Sequence, residues 1–292
     1  MKQAALVTAG TAGIGLETAL GLAAAGLAVT VVGRDAARGA RAVEEINATA
    51  PRYSARFLAA DLASLDAVRS LAGRVAAEGP LSVLVNNVGA MFPRRQDSPD
   101  GIEASFAVNH LSPYLLTELL LPALRAGAPG RIVNVTSGAV GVAKRVFDAV
   151  EPPGGYYGFH WYGRAKLANL AYTLELAERL DGTGVSVFAA DPGGAATDMT
   201  RGTMNDPRIV SPGLRLLWPL VRRTFERSTS GPASSAAKPS IHAATDPSLA
   251  GLTGIVIGPR VTPVPPSRAA RDPRTADAVR RLSERLAPIG TA

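Results

Sequence analysis

Strand-length apolar runs recur along this chain of 292 residues without the in-and-out alternation of a half-solvated sheet, and longer segments of helical spacing separate them. Residues 4–8, 28–32, 54–59, 81–86, 131–136, 185–190 and 254–257 read as strands. Residues 14–25, 36–48, 65–78, 102–124, 162–180 and 232–244 read as helices. A strand is apolar throughout only where both its faces are covered, as happens when helices flank a parallel sheet. With right-handed crossovers, the expected fold class is α/β: a doubly wound parallel sheet of about seven strands flanked by helices. At 47% hydrophobic the chain can bury one large core, so residues 1–258 are expected to form a single domain.

Two segments interrupt that rhythm. Residues 138–161 are rich in glycine, proline and aromatics, and residues 197–231 form a longer connection containing the apolar stretch 214–221. Connections of this length in a compact domain serve as lids or binding walls, and 197–231 is the expected substrate lid. Residues 259–292 read as a proline- and arginine-rich tail. A short amphipathic helix closes it, with Val279, Leu282 and Leu286 on one face.

Composition excludes several classes of function. There is no cysteine, and His110, His160 and His242 lie far apart in sequence, so neither disulfides nor a metal site is expected. The net charge of +7 comes almost wholly from scattered arginine, without the aromatic-interleaved basic stripe of a nucleic-acid binder. The longest apolar stretch, 18–33, is broken by Gly21 and Gly26 and is too short to span a bilayer. No signal peptide precedes the first strand, and a soluble cytoplasmic protein is expected.

Val7-Thr8-Ala9-Gly10-Thr11-Ala12-Gly13-Ile14-Gly15 joins the first strand to the first helix. Glycine here lets backbone N–H groups approach a pyrophosphate, and the helix N-terminus adds a favourable dipole. A plain tight turn uses glycine too; the position at the head of a β-α-β unit favours a dinucleotide and a Rossmann fold. The second strand ends at Gly33-Arg34, where an acidic residue would select a free ribose 2′-OH. A guanidinium pairs instead with a 2′-phosphate, so NADP(H) is expected over NAD(H).

Tyr162-Gly163-Arg164-Ala165-Lys166 places a phenol and an ammonium at i and i+4 on one helix face. A nearby ammonium favours phenolate and draws the phenol toward a working pKa. Ser137 ends the fifth strand, where a hydroxyl can orient a carbonyl or simply cap a turn. Asn109 sits within a helical segment as a mediocre helix former, and Asn86-Asn87-Val88-Gly89 reads as a turn or as a cofactor wall.

Taken in order, these motifs resemble the short-chain dehydrogenase/reductase family, and within it the retinol-dehydrogenase-like branch. The resemblance runs from about Lys2 to Gly258. It aligns Thr8, Gly10, Gly13, Ile14 and Gly15 with the family's glycine turn, Asp61-Leu62 with the residues beside the adenine, and Asn87 and Gly89 with the cofactor wall. Pro192, Gly193 and Thr197 match the segment that holds the carboxamide. The resemblance implies hydride transfer between a nicotinamide and a carbonyl or alcohol. In it Tyr162 moves the proton, Lys166 tunes the tyrosine and bonds the cofactor ribose, Ser137 orients the carbonyl and Asn109 holds a relay water. It also implies a homo-oligomer, dimer or tetramer. Two departures stand out: Ala9 replaces the first glycine, and Asp191 stands where the branch carries histidine or asparagine.

A cofactor-binding regulator or scaffold without chemistry would not need Ser137, Tyr162, Lys166 and Asn109 together. A sugar-nucleotide epimerase or dehydratase would need a larger C-terminal substrate domain. The expected partner is therefore a small carbonyl or alcohol. The aromatic run Tyr156-Tyr157-Gly158-Phe159-His160-Trp161 and the stretch 214–221 point to a bulky, apolar one, although both also suit packing on the domain body.

Overall fold

Successive residues of each strand enter two different apolar layers. On the central strands Leu6, Leu84, Ile132 and Val187 join one layer, while Val7, Val85, Val133 and Phe188 join the other. Both layers are buried, which is why the runs are apolar throughout. The computed structural model describes residues 3–50, 54–195 and 202–290. Its strands are β1 (Ala4–Val7), β2 (Ala28–Gly33), β3 (Arg56–Ala59), β4 (Val83–Asn86), β5 (Gly130–Val135), β6 (Val185–Ala190), β7 (Ile255–Ile257) and β8 (Pro263–Val264). They form one sheet in the order β3-β2-β1-β4-β5-β6-β7-β8. All pairs are parallel except β7 with β8. Because β2 and β3 lie on one side of β1 and β4 on the other, the connections diverge at the β1/β4 boundary and open a crevice at the strand carboxyl ends.

The helices are α1 (Gly13–Ala24), α2 (Ala36–Thr49), α3 (Leu65–Ala76), α4 (Ala104–Phe106), α5 (Ser112–Ala126), α6 (Gly158–Arg179), α7 (Pro212–Arg215), α8 (Trp218–Ser228), α9 (Ala233–Thr245) and α10 (Pro273–Leu286). Helices α1, α2 and α9 cover one face of the sheet, and α3, α5, α6 and α10 the other.

The structure redraws three of the sequence-based boundaries. The helix expected over 102–124 is divided by a π-helical turn, Ala107–Leu111. Asn109 explains it, because its side-chain amide donates to the Ser105 carbonyl at 2.7 Å and competes for an acceptor of the helix ladder. Helix α6 begins at Gly158, so Tyr162 stands a full turn inside it. The described part of the 197–231 connection is largely helical, with α7 and α8 preceded by 3-10 turns at Thr203–Asn205 and Pro207–Ile209. Its prolines occupy first-turn positions, where the missing N–H costs nothing.

The segment from Pro259 onward adds β8 to the sheet and lays α10 on the sheet face formed by α6. Val279, Leu282 and Ala287 enter the same core as α5 and α6, with Leu286 only partly buried. Arg164 reaches back from α6 to donate to the carbonyls of Val146 and Ala149, both at 2.9 Å, and so tacks the 138–157 connection to the helix. Its guanidinium stacks between Phe106 and Phe147.

His110, in the π turn, is fully buried against Phe106, Tyr114 and Tyr172. Its Nε2 lies 2.6 Å from Ser283 Oγ of α10, whose own hydroxyl donates to the Val279 carbonyl. Burial pushes the imidazole down to about 3 from 6.5, so it folds neutral. Between those values the unfolded chain binds one more proton than the native one, so stability is lost as pH falls below 6.5. Urea unfolding at neutrality and at about pH 5 should show wild type losing about 2 kcal/mol more than His110→Gln on acidification. Equal losses in the two proteins would contradict this assignment.

Candidate active site

The carboxyl ends of β1, β2, β4, β5 and β6 open onto one cleft of about 830 Å³. Its middle is the β1–α1 turn. Ala9, Gly13, Ile14 and Gly15 line the cleft, whereas Thr8 and Gly10 support the turn from behind. Thr8 Oγ1 accepts from the Val88 N–H at 3.1 Å, and Asn87 Nδ2 donates to the carbonyl of Thr8 at 3.2 Å, so the turn is stitched to the end of β4. Gly10 donates to the Val32 carbonyl at 3.0 Å, and a Cβ there would lie 2.8 Å from Val31 Cγ1. Gly10 is therefore small in order to pack on β2. Ala9 itself adopts φ of 50°, in the left-handed region that costs an L-residue roughly 1–2 kcal/mol. A Cβ on Gly15 would lie 2.2 Å from the Ala9 carbonyl oxygen.

At one end of the cleft stand Gly33, Arg34, Arg38, Asp61 and Leu62. Asp35 accepts from the Arg38 N–H at 2.8 Å and caps α2, which sets Arg38 in the helix's first turn beside Arg34. Arg38 carries no motif in the sequence; an aspartate, Asp35, directly before the helical pattern of residues 36–48 is the signal that would place it in a first turn. Asp61 Oδ1 accepts from the Ala63 N–H at 3.1 Å and shapes the bend after β3, while Leu62 is buried under it.

At the other end Ser137, Tyr162 and Lys166 converge. Ser137 follows β5, and its Oγ accepts from the Ala139 N–H at 3.2 Å. The Tyr162 side chain is buried and hydrogen-bonded to Ser137. Burial pushes its phenol up to about 12; the Ser137 hydrogen bond opposes the rise and the Asp191 carboxylate adds to it. The i,i+4 spacing suggests an ammonium acting straight on the phenol. Instead Lys166 Nζ lies 5.9 Å from the Tyr162 ring centroid and donates to the carbonyls of Val135 at 2.9 Å and Val88 at 3.4 Å. Burial draws the Lys166 ammonium down to about 8.

Asn109 stands behind this group. Its Oδ1 accepts from the Ala90 N–H at 3.1 Å, and its Nδ2 donates to the carbonyls of Ala90 and Ser105, both at 2.7 Å. Gly89 lines the cleft between them, and a Cβ there would meet Asn109 Oδ1 at 3.3 Å and Lys166 Nζ at 3.4 Å. Beyond β6, Pro192 and Gly193 also line the cleft, with the Gly193 N–H donating to Asp191 Oδ1 at 2.9 Å. Thr197 lies outside the described residues. Phe92, Met204 and Thr229 complete the wall and carried no motif in the sequence.

Three features fit a nicotinamide dinucleotide. The first turn of α1 has no side-chain cap, since Ala12 occupies the N-cap, so its N–H groups face the cleft for a phosphate. Two arginines stand at one end. Thr136 Oγ1, buried in the cleft wall, has no hydrogen-bond partner among the described residues.

The family model for short chain dehydrogenase matches residues 3–208. The chain belongs to the short-chain dehydrogenase family. It is 37% identical over 250 residues to retinol dehydrogenase 12 of Mus musculus, covering 85% of this chain and 75% of that protein. Its fold superimposes on a protein from Mycobacterium paratuberculosis with a TM-score of 0.75 and 28% identity, over 98% of this chain and 93% of that one. The Pseudomonas aeruginosa RhlG/NADP active-site complex gives a TM-score of 0.67 and 28% identity, over 88% and 94%. Membership of this family makes the chain an oxidoreductase of the alcohol/carbonyl class that uses a nicotinamide cofactor.

Two substitutions in the turn should act in opposite directions. Ala9→Gly relieves the left-handed conformation and should raise the unfolding free energy by roughly 1 kcal/mol. Gly15→Ala drives a methyl into backbone and should cost about 2 kcal/mol or more, together with dinucleotide affinity. Thermal melting with and without NADPH separates the two, and an unaltered Gly15→Ala would refute the packing described.

Proposed function

We propose that this short-chain dehydrogenase is NADP(H)-dependent and interconverts bulky, apolar carbonyl compounds with their alcohols. The observation that carries the reading is the gathering of Ser137, Tyr162 and Lys166 at one end of a cleft whose other end holds Arg34 and Arg38. Gly13, Ile14 and Gly15 with the N-terminus of α1 hold the pyrophosphate, and Asp61 and Leu62 lie against the adenine. Asn87, Gly89, Pro192 and Gly193 hold the nicotinamide half. Arg34 and Arg38 pair with the 2′-phosphate through their planar forks. Bound there, the nicotinamide supplies hydride exchange with the substrate's carbonyl carbon.

The side chains manage the oxygen of that carbonyl. Ser137 donates its hydroxyl proton to it and fixes its orientation. Tyr162, a protonated phenol throughout the neutral range, delivers a proton to the same oxygen in reduction and takes it back in oxidation. Lys166 bonds the cofactor ribose, and its buried charge stabilises phenolate as the proton leaves. Asn109 holds the Ala90 peptide, keeps Gly89 beside Lys166 and supports a water-borne proton relay.

The apolar preference rests on the wall next to Tyr162. Met91, Ala139, Ile209 and Val210 are buried with it, and Phe159, Met204, Trp218, Val221 and Phe225 pack over them. Beside this apolar surface Ser137 and Tyr162 offer hydroxyl groups, which suits a substrate with one oxygen on a hydrocarbon body. The retinol dehydrogenase relatives support this direction.

Tyr162→Phe should lower kcat/KM for ketone and aldehyde reduction by about a thousandfold while NADPH affinity stays within about twofold. Normal turnover by that variant would sink the mechanism. Because the phenol lies at about 12, alcohol oxidation should accelerate as pH rises above neutrality, while reduction should not. Paired initial-rate profiles in the two directions test the sign. Replacing Arg34 and Arg38 together by alanine should weaken NADPH by about tenfold or more and leave NADH nearly unchanged. Equal loss for both cofactors would remove the basis for the NADP(H) preference.

A further inference from the structure

Helix α8 presents two unlike faces. Trp218, Val221 and Phe225, at i, i+3 and i+7, turn inward onto the apolar cluster that contains Tyr162, Ile209 and Val210. Phe225 packs its ring 5.0 Å from that of Phe159. On the opposite side, Leu220, Arg223 and Arg227 follow the same spacing and face solvent. The connection just before α8 extends this outer side with Leu216 and Leu217. Leu216 is 86% exposed, Leu220 65% and Leu217 53%, and Leu214 is exposed in the neighbouring α7. Large apolar side chains lie this open mainly where something else covers them.

The charges around the leucines select what that is. Residues 214–228 carry Arg215, Arg222, Arg223 and Arg227 against the single carboxylate of Glu226, which pairs with Arg222 at 3.1 Å. A second copy of this chain, docked by the same face, would set arginine against arginine. An anionic phospholipid surface offers what both groups need, with acyl chains for leucine and headgroup phosphates for guanidinium. No helix among the described residues is long and apolar enough to cross a membrane, so α8 would lie in the plane of the interface.

We infer that the outer face of α7 and α8, centred on Leu216, Leu217 and Leu220 and rimmed by Arg223 and Arg227, docks on an anionic lipid surface. Since the inner face of α8 covers the Tyr162 cluster, docking brings the mouth of the cleft to the bilayer. This binding is independent of the proposed reaction and is measured without turnover.

The test is flotation of the full chain with phosphatidylcholine vesicles, made with and without phosphatidylserine, at low and high salt. Wild type should float with the phosphatidylserine vesicles and lose binding as salt rises. L216S/L220S should lower the partition coefficient by about tenfold or more. R223Q/R227Q should lose several-fold on phosphatidylserine vesicles and little on neutral ones. All variants should keep the wild-type melting temperature and NADPH affinity, which separates lost docking from lost folding. Failure of wild type to float, or equal partition of L216S/L220S, would overturn the proposal. So would sedimentation showing a wild-type dimer that L216S/L220S dissolves while vesicle binding stays unchanged, for then a second copy covers this face.

Discussion

A run of buried amides and hydroxyls crosses the interior from β4 to the π turn. Asn86 donates to Asn134 Oδ1 at 2.8 Å and to Thr117 Oγ1 at 2.9 Å. Asn134 donates to Thr173 Oγ1 at 2.9 Å, the Thr173 hydroxyl donates to the Asn169 carbonyl at 2.7 Å, and Asn169 Nδ2 donates to the Asn109 carbonyl at 2.9 Å. Each of these side chains is almost wholly buried. Leaving any one unpaired there costs about 1–3 kcal/mol, so the members require one another's positions. A one-residue slip of α6 would break both of its links to this run, Asn134 to Thr173 and Asn169 to Asn109. The run therefore fixes the helix that carries Tyr162 and Lys166 against the strand ends that carry Ser137 and Gly89, which apolar packing alone does less specifically.

The two ends of the cleft work under different electrostatics. Tyr162 and Lys166 are buried, so small displacements of charge shift their protonation strongly. The carbonyls of Val135 and Val88, at the ends of β5 and β4, steady the ammonium in that low-dielectric setting. Arg34 and Arg38 stand exposed, where solvent screens their charge. A buried, hydroxyl- and ammonium-bearing end and an exposed, guanidinium-bearing end thus share one crevice, with the β1–α1 turn between them. Helix α8 adds a third environment, since one side of it walls the buried end and the other meets solvent.

Much of this was legible in the residues. Unbroken apolar strands announced a sheet covered on both faces, and the glycine turn after β1, Gly33-Arg34, Ser137 and the Tyr162/Lys166 pair marked its carboxyl edge. What stayed hidden depends on partners remote in sequence. The π turn arises because Asn109 competes for the Ser105 carbonyl while tied to Ala90. Residues after 259 read as a tail because proline and arginine dominate them, yet Val279 and Leu282 find a place on α6 and Ser283 meets His110 across 173 positions. Pro207, Pro212 and Pro219 begin helical turns within a stretch that reads from the sequence as a long connection. Phe92, Met204 and Thr229 carry no motif, and only the folded chain sets them in one wall.

The sequence by itself determined the fold class and the inventory of reactive groups, because both rest on local rules: hydrophobic period, turn chemistry, and the i,i+4 geometry of a helix. It also determined that a guanidinium rather than a carboxylate would follow β2. Tertiary structure alone decided the electrical state of those groups. Lys166 turns to two carbonyls rather than to the phenol, and the Tyr162 proton is held more tightly than the spacing implied, because burial and the nearby Asp191 outweigh the hydrogen bond from Ser137. Desolvation belongs to the surroundings of a side chain, and those surroundings exist only once distant segments have packed around it.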